Sequence, residues 1–128
     1  MQERIEERVL YLLENRRYAQ LKEEILDINP YDLAAVMEDI PMEQLPILFR
    51  ILPKELAAET FVEMDHDMQE HLIKSFSDTE LKAMLDELYV DDTVDIIEEM
   101  PSNVVKRILR STDPQTRAMI NQILNYPK

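Results

Sequence analysis

The chain has 128 residues, a formal net charge of −13 from 27 acids against 14 bases, an apolar share of 45%, and neither glycine nor cysteine. That length suits one domain with a sizeable core; the missing glycine excludes a Gly-rich phosphate loop and a dinucleotide fingerprint, and the missing cysteine excludes disulfides and thiolate metal sites. The acidity argues against nucleic acid and anionic lipid, whose binding relies on Lys and Arg neutralising phosphate, and favours cationic partners, metal ions among them.

In chain order, the first helix is expected over 3–15, with Ile5, Val9, Leu12 and Leu13 on one face. Arg16 and Arg17 mark a turn, and a second helix follows over 17–27 with Tyr18, Leu21, Ile25 and Ile28 inward. Asn29-Pro30 breaks and restarts the chain, because a residue before proline avoids the helical region while proline fits the first helical position. Eight further helices are expected over 30–40, 41–52, 53–64, 65–76, 77–88, 90–100, 101–111 and 113–125. Ser77 with Glu80 reads as a capping box, and Asp113 before Pro114 as a similar start. Pro46 falls early enough in its helix to be a first-turn residue or to cause a mild kink. No segment alternates with period two, so no sheet is expected. No apolar run nears the ~20 residues that span a bilayer. The mixed-charge N-terminus lacks a signal-peptide core, so the chain reads as soluble, without direct membrane insertion.

Across this array runs a beat of twelve: Ile28, Ile40, Leu52, Met64, Phe76, Leu88 and Met100. Two more columns keep the step. Val36, Leu48, Leu72, Met84, Ile96, Ile108 and Ile120 form one, broken by Thr60. Met37, Phe49, Phe61, Ile73, Leu85, Ile97 and Leu109 form the other, ending in Asn121. A repeat this short is one helix plus one turn, and stacked repeats bury a continuous core and coil into a solenoid. The expected fold is therefore all-α, a superhelix of about ten short helices, suited to binding and mechanical coupling. The joints fall at Pro, Asp and Ser, none of which requires a positive φ.

The sharpest chemical signal is acidic. No base lies between Lys82 and Lys106, and that window holds Asp86, Glu87, Asp91, Asp92, Asp95, Glu98 and Glu99. Asp91 and Asp95, four apart, share one face of a helix. One or two carboxylates plus water make a weak site for a hard cation such as Mg2+. The competing reading is structural: Asp91 and Asp92 sit at a helix N-terminus, where acids cap backbone N–H groups and complement the dipole. Glu59, inside the apolar stretch Leu56 to Phe61, is a second candidate, with a plain surface acid as its alternative. His66 and His71, five apart among acids, match no ligand pattern and are expected on a solvated face. No serine has a nucleophile elbow and no carboxylate pair has an apolar pocket around it, so no enzyme is expected.

Several motifs taken together resemble the cytoplasmic N domain of the MgtE family of magnesium transporters. They are Asn29-Pro30-x-Asp32-Leu33-Ala34, Leu52-Pro53-Lys54 with Ala57-Ala58-Glu59, Leu81 through Leu88, Val90-Asp91-Asp92-x-x-Asp95, and Asp113-Pro114-x-Thr116-Arg117. The resemblance covers about residues 5–128. It implies a right-handed superhelix over 1–125, with Tyr126-Pro127 opening a linker (126–128) to a pair of CBS domains of the same polypeptide. It also implies a homodimeric membrane protein, with this domain on the cytoplasmic face of the membrane. Mg2+ would bridge its acids to the CBS domains and close the pore. By position the metal-contacting acids would be Glu59, Asp91 and Asp95, with Asp92 in the same motif. The alternative is a protein-interaction scaffold like the superhelical domains of the flagellar motor switch, with no metal role. Tandem short helices also suggest a helix-turn-helix DNA binder, which the net charge opposes.

Overall fold

The computed structural model describes residues 2–124, with side chains from residue 5 onward. Tyr126 and Pro127 lie outside the described residues. Ten α-helices and one 3-10 turn account for all regular structure among those residues, and there is no strand. The all-α expectation holds. The helices are α1 (Gln2–Glu14), α2 (Tyr18–Ile25), α3 (Pro30–Met37), α4 (Leu45–Ile51), α5 (Lys54–Val62), α6 (His66–Ser75), α7 (Asp78–Leu85), α8 (Val90–Glu98), α9 (Ser102–Ser111) and α10 (Pro114–Leu124).

Helices α2, α3, α5, α7 and α8 stop two or three residues short of their expected ends, and in the last four the reason repeats with the beat. After α3, Asp39 N–H donates to the Val36 carbonyl and Ile40 N–H to that of Met37. Glu63 and Met64 do the same to Thr60 and Phe61, Glu87 and Leu88 to Met84 and Leu85, and Glu99 and Met100 to Ile96 and Ile97. Each final turn tightens to i→i−3 bonding, which satisfies carbonyls that the helix end would orphan. The beat residue thus closes the turn and its side chain enters the core: Ile40, Leu52, Met64, Phe76 and Met100 are buried.

Helix starts follow local chemistry. Asn29, Asp65 and Ser77 accept from the backbone N–H three residues on, and Ser77 with Glu80 forms both bonds of the capping box. Asp113 accepts from Thr116 N–H at 2.8 Å. Pro30 and Pro114 open their helices, whereas Pro41, Pro53 and Pro101 stand one residue before theirs. Pro46 lies in the first turn of α4, where its missing N–H costs no helical bond, and a 3-10 turn at Met42–Gln44 precedes it.

The turn after α1 departs from expectation. Arg16 has φ 55, the one positive-φ residue among those described. Arg16 N–H bonds Leu13 O and Arg17 N–H bonds Leu12 O, a Schellman closure. Its left-handed residue is usually glycine, which this chain lacks. Two other helix ends are closed by arginine. Arg107 donates to the Ile73 and Phe76 carbonyls at the end of α6, and Arg117 donates to those of Leu109 and Thr112 at the end of α9.

The chain divides into two compact units, residues 1–64 and 65–128. Contacts in a helical repeat run mainly between elements close in sequence, which favours such local units. In the first unit α1 packs on α2 and α3, and α3 on α5. Phe49 of α4 meets Phe61 of α5 edge to face, ring centroids 6.2 Å apart. In the second, α9 packs on α6, α7 and α8, and α8 on α10. Every member of the Val36-to-Ile120 column is buried, Thr60 included at 0% exposure, and the Thr60 hydroxyl donates to Leu56 O at 2.7 Å. Thr112, twelve beyond Met100, is buried too and donates to Leu109 O, so the beat runs one step further than apolarity reveals. Tyr18, expected inward, is 38% exposed, while its neighbours Leu21 and Ile25 carry the buried face of α2.

Candidate metal site

Helix α8 starts at Val90 behind Tyr89, whose side chain makes no capping bond. Asp91 and Asp92 therefore stand in the first turn, where carboxylates complement the positive end of the helix, but neither caps it in the manner the structural reading requires. One side of α8 is fixed by burial: Thr93, Val94, Ile96 and Ile97 are in the core. The 3.6-residue period then turns Asp91, Asp95 and Glu98 outward together.

These three acids line an open groove of about 280 Å3 with Val94 of α8 and Ile123 and Leu124 of α10. Asp91 and Asp95 are exposed, and neither has an ion pair or hydrogen-bond partner among the described residues. Like charges one helical turn apart destabilise a helix by about 0.2–0.5 kcal/mol, so a cation arriving here relieves repulsion as well as gaining ligands. Asp92 is half-buried and does not line the groove. Glu98 was visible in the acidic window but not as a member of this face; its spacing of seven from Asp91 is the signal that identifies it.

Glu59 stands exposed on α5 in the first unit, between buried Ala58 and Thr60, and also lacks a partner among the described residues. Among the described residues no three His, Cys, Asp or Glu side chains converge closely enough to hold a metal ion. Asp91, Asp95 and Glu59 are carboxylates without a partner among the described residues, a donor type that suits a hard cation with water filling its other positions. His66 is exposed, as expected, with Nδ1 3.1 Å from Gln69 Oε1 and Nε2 4.0 Å from Glu99 Oε1; His71 is half-buried. No described helix is long and apolar enough to cross a membrane.

Fold and groove together define a helical-repeat module carrying an acidic open face. The chain belongs to the MgtE intracellular N domain family, whose model matches residues 28–128. The match begins at Ile28, the first residue of the beat, so α1 and α2 precede it. The chain is similar to a crystal structure of the cytosolic domain of the Mg2+ channel MgtE in complex with ATP. That likeness has 29% identity and a TM-score of 0.72, over 84% of this chain and 44% of the other. It is also similar in fold to the soluble part of a magnesium transporter, at 18% identity and a TM-score of 0.85, over 100% of this chain and 51% of the other. The chain thus spans about half the length of the solved structures it matches. No curated protein matches it.

Proposed function

We propose that this chain is the Mg2+-sensing regulatory domain of a magnesium channel or transporter, working on the cytoplasmic face of the membrane in a homodimeric parent. Asp91 and Asp95 bind Mg2+ jointly with acids of CBS domains in the same polypeptide, and Glu59 makes a second such contact. Asp92, in the first turn of α8, complements the helix dipole. The observation that carries this reading is the pair of exposed carboxylates one turn apart, without a partner among the described residues, on a groove that no basic side chain among those residues lines.

The mechanism follows from charge. Two acidic surfaces repel when bare, and divalent ions between them turn repulsion into attraction. A ligand shifts a two-state equilibrium only by its differential affinity, so a site completed by two domains responds to Mg2+ only in the closed state. A partial site binds weakly alone, which sets the response in a high concentration range. High Mg2+ closes the pore by locking the domains, and low Mg2+ releases them.

The test uses the longer protein that includes the CBS domains, with its radius of gyration followed against Mg2+ by small-angle scattering. The parent should compact, and the Asp91→Ala, Asp95→Ala double variant should need at least tenfold more Mg2+. Unchanged compaction in that variant overturns the site assignment, and no compaction of the parent overturns the sensing role.

A further inference from the structure

We draw no further inference here: the strongest candidate, the aliphatic groove of about 420 Å3 between α1 and α2 walled by Ile5, Val9, Leu21 and Ile28 beside the Arg8–Glu24 ion pair, carries none because nothing in the structure shows what covers it.

Discussion

At the scale of single residues, this chain replaces glycine with arginine and side-chain caps. Arg16 holds a left-handed conformation that costs an ordinary residue about 1–2 kcal/mol. Arg16→Gly should therefore raise the unfolding free energy by about 1 kcal/mol once the greater freedom of unfolded glycine is deducted, read as a higher denaturant midpoint. Asp113 acts in the opposite sense. The Thr116 backbone N–H, then the Thr116 hydroxyl, hold its carboxyl below the usual carboxylate value. A lowered folded pKa gives stability that is full above the unfolded value, about 3.9, and fades as pH falls through the folded one. Asp113→Ala should lower Tm at pH 7, and the gap from the parent should close towards pH 2. A gap independent of pH would show that the carboxylate charge has no part in the cap. These caps differ in legibility. Asn29, Ser77 and Asp113 act within three residues and can be read from the sequence. Arg107 closes α6 from 31 and 34 positions away, so no local pattern announces it.

At the scale of elements, helices of seven to thirteen residues are marginal alone in water and depend on their neighbours. Phe61 is fully buried and meets Phe49, so Phe61→Ala should cost about 3–5 kcal/mol in urea unfolding. Thr60 occupies the one polar place in its column with its hydroxyl satisfied inside its own helix. Thr60→Val removes donor and internal bond together and leaves the Leu56 carbonyl its helical role, so Tm should hold or rise. A fall of several degrees would mean that the hydroxyl has a further role in the core. The columns were legible because apolar periodicity reports burial directly. Thr60 and Thr112 were not, because a hydroxyl that bonds back to its helix buries like an apolar group without resembling one. The helix ends were read too long for a related reason: the tightened last turn is set by backbone bonding, which leaves no mark on residue type.

At the scale of the whole molecule, the formal charge of −13 sets how folding responds to ions. Self-repulsion opposes the compact state and is screened by salt. Raising NaCl from low to physiological strength should increase Tm. Asp95→Asn should reduce that increase while adding about 0.2–0.5 kcal/mol of stability at low salt by relieving its repulsion with Asp91. The candidate site was half legible. Spacing along α8 marks the acidic face, four for Asp91 and Asp95 and seven for Glu98, whereas the opposite wall from α10 is a tertiary fact that no local pattern carries. Glu59, a lone acid between buried Ala58 and Thr60, has no spacing pattern of its own and is marked only by the family resemblance.

The twelve-residue step has one more consequence, for how such a chain can change length. Each residue added within a helix rotates everything after it by about 100°, swinging the next buried column into solvent. A whole added unit leaves every later residue facing as before. Duplicating 77–88 should yield a chain that folds with one helix more, whereas deleting Ala83 alone should not. Length in this architecture is quantised, and growth by tandem copying is the route that the packing leaves open.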